Sequence, residues 1–116
     1  KIKSVGKNLN ESNHLIKLAK KLEDAEAKLI VLECIEMNTA KKITNKLTIP
    51  TIGIGASNFC DGQVLVTDDI INLDSNNYKP KFIKTYIDVN KDIINAVKSF
   101  VKDVKNKKFP SKKYSY

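Results

Sequence analysis

Glu33 stands out first among the residues that could do chemistry. It closes the run KLIVLE, so an ionisable carboxylate directly follows four apolar residues. At such a strand end the charge must either be paired or be used. A second candidate lies downstream in IPTIGIGASNFCDGQVLV, where Gly53 and Gly55 end another apolar run. Glycines at a strand tip let a substrate approach the backbone or expose amides to an anion; they equally serve close packing or a turn. Asp68 and Asp69 carry groups suited to magnesium, but neighbours on a strand point to opposite faces, so at most one could serve. Capping of the next turn is the favoured reading for them. Cys34 and Cys60 fit no CxxC or Cys/His spacing and read as small core residues. His14 is the sole histidine, on a Lys-rich helix, which leaves no zinc set.

These candidates need a scaffold, and the stretch from Lys28 to Gln63 supplies its centre. Lys28 to Glu33 reads as a buried strand, with Leu29, Val31 and Glu33 on one face and Ile30 and Leu32 on the other. Before it, Leu15, Leu18, Leu22 and Ala25 recur at helical spacing opposite Lys17, Lys20 and Lys21, with Asn10 or Ser12 as cap. Lys1 to Asn10 reads as a polar loop. After the strand, Ala40, Ile43 and Leu47 predict a short amphipathic helix ending before Thr48. Pro50 then forces an extended entry into Thr51 to Gly55. Asp61-Gly62 signals a turn, and Gln63 to Thr67 alternates as a third strand. Asn72 to Lys81 reads as a loop. From about Asn90 to Lys105 a final helix is expected to bury Ile93, Ile94, Val97, Phe100, Val101 and Val104, and FPSKKYSY to trail as a tail. The order predicts an α/β fold of about three parallel strands with flanking helices, functional groups lying at the strands' C-terminal ends.

Composition narrows the partners. The 116 residues, 41% of them hydrophobic, suffice for one domain at most. The net charge of +8 would point to nucleic acid, but every one of the 21 cationic residues is lysine. The guanidinium fork of base and phosphate recognition is missing, and the lysines alternate with acids on solvated faces. No apolar run has signal-peptide or membrane-spanning length, so the expectation is a cytoplasmic protein with neither nucleic acid nor membrane as partner.

LEDAEAKLIVLEC, the AKKIT helix, IPTIGIGASNFCDGQVLVTDD, the PKF of Pro80 to Phe82 and the closing FPSKKYSY follow one another in that order. Together they resemble the ketopantoate hydroxymethyltransferases, also called 3-methyl-2-oxobutanoate hydroxymethyltransferases, over nearly the whole chain. The resemblance implies a magnesium-dependent enzyme of pantothenate (coenzyme A precursor) biosynthesis, built on a (β/α)8 barrel of the phosphoenolpyruvate/pyruvate superfamily. It would move a hydroxymethyl group from methylenetetrahydrofolate to 3-methyl-2-oxobutanoate, giving 2-dehydropantoate. The glutamate of the VLEC motif, which lands on Glu33, would be the general base beside the keto group, with magnesium holding the enolate.

A whole barrel takes about 250 residues, so residues 1–116 are expected to be the C-terminal part of a single barrel domain whose N-terminal half is absent. The magnesium ligands are expected in that half, no metal or cofactor ligand is assigned here, and the chain alone is expected to be inactive. A homo-oligomer, a ring-like decamer, is implied as well. Departures from the family pattern fall at Ser57 (usually Gly), Glu36 (commonly Pro), Glu26 (usually Gly), Thr67 to Asp69 (His-Asp) and Tyr114-Ser115 (His-Ser). Two alternatives stand beside this reading: a small non-catalytic α/β binding module, and another keto-acid enzyme of the same superfamily.

Overall fold

A computed structural model describes residues 2–73 and 78–116. The chain divides into two compact units, Lys1–Val66 with Tyr78–Ile83, and Thr67–Asn77 with Lys84–Tyr116.

The first unit holds α1 (Leu9–Asp24), β1 (Ile30–Glu33), α2 (Met37–Lys46), β2 (Thr51–Ile54) and β3 (Gly62–Gln63). The strands form a parallel sheet in the order β1-β2-β3. Alternation along β1 is as its sequence predicts: Ile30 and Leu32 are buried, and Val31 and Glu33 are exposed. Ile30 and Leu32 meet Ala19 of α1 and Ala40 and Ile43 of α2 in the core, so both helices cover one face of the sheet. Full burial of a side chain such as Leu32 contributes about 1.5–3 kcal/mol. Cys34 and Cys60 are free and buried, as small core residues should be.

Several local expectations need correction. Asn8, rather than Asn10 or Ser12, caps α1: its side chain accepts the Glu11 amide at 2.9 Å. Ser12 is buried instead, 2.8 Å from the Thr39 hydroxyl, which also donates to the Gly6 carbonyl. The buried stripe of α1 is therefore Ser12 and Ala19, flanked by Leu15 and Ile16, while Leu18 and Leu22 are exposed. Small residues win there because they admit the close approach of α2. The polar N-terminal stretch is not simply a loop, since Val5 forms a parallel bridge to Ile35. Its amide donates to Cys34 at 3.0 Å and its carbonyl accepts from Glu36 at 2.8 Å. His14 is exposed.

Glu23 ties the end of α1 to the connection before β2. Its carboxylate accepts from the Thr48 amide and hydroxyl and from the Ile49 amide. With the Lys20 ammonium first and these donors next, it is held at a pKa of about 2.

The second unit holds α3 (Thr67–Ile71), α4 (Val89–Lys105) and a 3-10 turn over Lys112–Tyr114. Asp68 and Asp69 thus lie in the first turn of a helix, where the dipole favours acids, rather than at a strand end. The apolar stripe of α4 forms but is not buried: Ile93, Ile94, Val97, Phe100, Val101 and Val104 are 41 to 56% exposed. A lone long helix beside one short helix has too little apolar surface around it to cover such a face. The C-terminal segment is not a free tail, because Phe109 packs edge-on against Phe100 at 5.5 Å and lies 5.8 Å from Tyr114. The loop expected over Asn72 to Lys81 lies partly outside the described residues, at 74–77.

Helix α1 ends in a Schellman turn: the Glu26 amide donates to Glu23 and the Ala27 amide to Leu22. The residue at its apex has φ 66, the left-handed region that favours glycine, yet here it is Glu26. Glu26→Gly is therefore expected to raise stability by about 1 kcal/mol, read from urea unfolding of the full-length protein.

Candidate active site

The sheet's C-terminal tips are shaped by a crossover of unusual brevity. Parallel strands are ordinarily joined by a dozen or more residues, most often through a helix. Between β2 and β3 there are only residues 55–61. Ser57 and Cys60, both buried, put that short segment where a helix would otherwise cover the strand. Gly53 leaves the room, since a Cβ there would stand 3.1 Å from Cys60 Sγ and 2.8 Å from Gln63 Oε1. The Gln63 amide group cannot simply swing away, because its Nε2 donates to the Ser57 carbonyl at 2.7 Å. Asp61 closes the device by accepting the Thr51 amide at 2.8 Å and the Thr51 hydroxyl at 3.0 Å. Those two donors, the amide first, hold its carboxyl below the usual aspartate range.

The turn expected at Asp61-Gly62 is therefore an anchor followed by a strand. The third strand ends at Gln63 instead of running to Thr67, and Val64 and Val66 are exposed. Pairing stops because β2 itself ends at Ile54, and the last ladder bond is from the Val64 amide to Gly53 at 3.0 Å.

Gly55 has φ 61, and a Cβ on it would come within 2.7 Å of Cγ and Cδ1 of Phe82. Packing and backbone conformation account for both glycines. They also bring together two distant stretches, the GIGAS run and PKF, which nothing in their sequence spacing disclosed.

Register sets the place of Glu33. It pairs with Ile54, and Val31 pairs with Ile52, so these four share the sheet face opposite the helices. Leu29 and Val31 on that side are 51% and 55% exposed, and Glu33 is exposed as well. The carboxylate thus stands at the C-terminal end of an open apolar face. Beside it, Cys34 turns the chain with φ 51 and donates its amide to Ile54 at 2.9 Å. A cleft of about 880 Å³ opens from Cys34 onward, lined by the residues after β1 and β2 and by Pro80 to Phe82; Glu33 is not on its lining. Glu36, on that lining, caps α2 by accepting the Thr39 amide at 3.0 Å. The amides of Asn38 and Thr39 hold its carboxyl below the usual glutamate range. Among the described residues, no group of three or more His, Cys, Asp or Glu could hold a metal ion.

The profile of the ketopantoate hydroxymethyltransferases matches residues 1–112. This chain belongs to the ketopantoate hydroxymethyltransferase family. It is 51% identical to the 3-methyl-2-oxobutanoate hydroxymethyltransferase of Pelagibacter ubique, over 96% of this chain and 42% of that protein. Proteins of the same name from Geobacter metallireducens and Clostridium botulinum are 48% and 44% identical, again over 96% of this chain and over 41% and 40% of their own lengths. The chain thus spans roughly two fifths of the curated relatives it matches.

Two departures from the family pattern have a structural account. Glu36, where proline is common, supplies a side-chain cap that proline lacks. Ser57, in place of the last glycine of GIGAG, turns its hydroxyl to the Phe59 amide at 3.2 Å inside the crossover. Gly55→Ala should lower stability by about 1–3 kcal/mol, through both left-handed strain and overlap with the Phe82 ring. Thermal unfolding of the full-length protein checks this, and an unchanged Tm would contradict it.

Proposed function

We propose that the whole protein transfers a hydroxymethyl group from methylenetetrahydrofolate to 3-methyl-2-oxobutanoate, giving 2-dehydropantoate for pantothenate synthesis in the cytoplasm. The reading takes residues 1–116 as the C-terminal part of a (β/α)8 barrel, in which the open face of the sheet is the barrel's interior. The observation that carries it is Glu33: a carboxylate at the C-terminal tip of a parallel strand, on the uncovered face, in a chain of this family. Active sites of such barrels lie at that end of the strands.

As general base, Glu33 would take the proton from C3 of the keto acid, next to the keto group. The resulting enolate carbon would bond to the donor's methylene carbon, whose two C–N bonds to the folate break. One water would supply the new hydroxyl oxygen, and the proton held by Glu33 with the two from water would end on the two folate nitrogens and that hydroxyl. Val31, Ile52 and Ile54 share its face of the sheet and would line the apolar side of the site. For the magnesium that the resemblance implies, the described residues hold no cluster of three or more His, Cys, Asp or Glu. The two alternatives weighed from sequence, a binding module and another keto-acid enzyme, gain no specific observation. Homo-oligomerisation into a ring-like decamer belongs to the same proposal and fits the uncovered apolar stripe of α4.

Glu33→Gln keeps the shape of the side chain and removes the base. In the full-length enzyme it should lower kcat by about 10²–10⁴ while leaving the keto-acid KM within about threefold. Near-normal formation of 2-dehydropantoate by that variant would remove Glu33 from the role.

A further inference from the structure

Among the described residues the buried polar side chains are Ser12, Thr39, Thr51 and Ser57, and each brings a hydroxyl proton that needs an acceptor. Three of these protons stay inside the fold. Thr39 donates to the Gly6 carbonyl at 2.8 Å, which leaves its lone pair for the Ser12 hydroxyl, 2.8 Å away. Thr51 donates to the Asp61 carboxylate at 3.0 Å. Ser57 differs. Its Oγ accepts the Phe59 amide at 3.2 Å and its carbonyl accepts from Gln63 Nε2 and the Cys60 amide, but its own hydroxyl proton meets no acceptor among the described residues. Of the four it is also the one that lines the cleft beyond Cys34. A buried donor without an acceptor destabilises the fold, and a molecule in the cleft can supply what the chain withholds. Charge does not select that molecule, because the lining mixes Lys3, Lys7 and Lys81 with the carboxylates of Glu36 and Asp61. The unmatched donor is the more specific feature.

We propose that Ser57 is a substrate contact: its hydroxyl donates to a carbonyl or carboxylate oxygen of a molecule held in the cleft, a bond that the glycine usual at this position of the family cannot make. This contact presupposes the proposed hydroxymethyl transfer and adds a specificity-determining residue to it. Both reactants carry such oxygens, the keto acid in its keto and carboxylate groups and the folate in its carbonyls and glutamyl carboxylates. One proton serves one acceptor, so Ser57 favours one reactant and is indifferent to the other. The Phe59 amide already orients its Oγ, which lowers the ordering cost when the bond forms.

Calorimetric titration of the full-length protein with 3-methyl-2-oxobutanoate and, separately, with tetrahydrofolate tests it, comparing the native chain with Ser57→Ala and Ser57→Gly. Loss of one donor to a substrate oxygen should weaken the reactant that receives it about tenfold and leave the other within about twofold. Whichever reactant weakens carries the acceptor. Ser57→Gly keeps the test open if the alanine variant fails to fold, since glycine is the residue the family usually has there. Undiminished binding of the second reactant shows that the fold of the variant persists. Unchanged affinity for both reactants would show that the hydroxyl holds only a water molecule, and would overturn the proposal. Equal weakening of both would do so too, because that marks a loosened crossover, as would a native protein that binds neither. The readout needs no turnover. A protein in which Ser57 favours one reactant yet which forms no 2-dehydropantoate would contradict the proposed reaction and leave the assignment of Ser57 standing.

Discussion

The hydrogen bonds from Thr51 to the Asp61 carboxylate hold the first unit's sheet in register. They join the first residue of β2 to the residue just before β3, and so close a parallel connection far shorter than a helical crossover. Everything at the tips follows from that closure. Gly53 must lack a side chain for Cys60 to pack, Gln63 must reach the Ser57 carbonyl, and Gly55 must turn left-handed where Phe82 lies against it. The run from Gly53 to Gln63 is thus a packing device. Its reward is a fixed relation between the end of β1, which carries Glu33, and the cleft that begins at Cys34.

The two faces of the sheet divide the work. Helices α1 and α2 bury Ile30 and Leu32 on one side and give the unit its core. On the other side Val31 and Glu33 are uncovered. Glu33 stands at the tip of that uncovered face, and among the described residues no group of three or more His, Cys, Asp or Glu could hold a metal ion.

Sequence periodicity made β1 and α2 legible, because their buried residues alternate or recur without competitors and each contacts elements of the same chain. In α1 the pattern was too wide to orient. Leu18 and Leu22 compete with Leu15, Ile16 and Ala19, and it is the approach of α2 through Ser12 and Thr39 that selects the face. Strand β3 looked longer than it is, because Val64 and Val66 have strand character but no partner beyond Ile54 to pair with. The stripe on α4 was visible as a stripe, yet burial depends on surface that its own unit does not contain. Glu33 could be singled out from its awkward place in the sequence, and register then gave it a face. The cleft beyond Cys34 could not, since its walls come from the N-terminal stretch and from Pro80 to Phe82, which reach the strand tips through the bridge at Val5 and the packing of Phe82 on Gly55.

The central claim is that Asp61 locks the short crossover and thereby the strand tips. Residue-resolved hydrogen exchange on the full-length protein, compared with its Asp61→Ala variant, measures this directly. The amides of Thr51 and Val64 should lose protection while that of Ala40, inside α2, keeps it. Unchanged protection at Thr51 and Val64, or an equal loss at Ala40, would contradict the account.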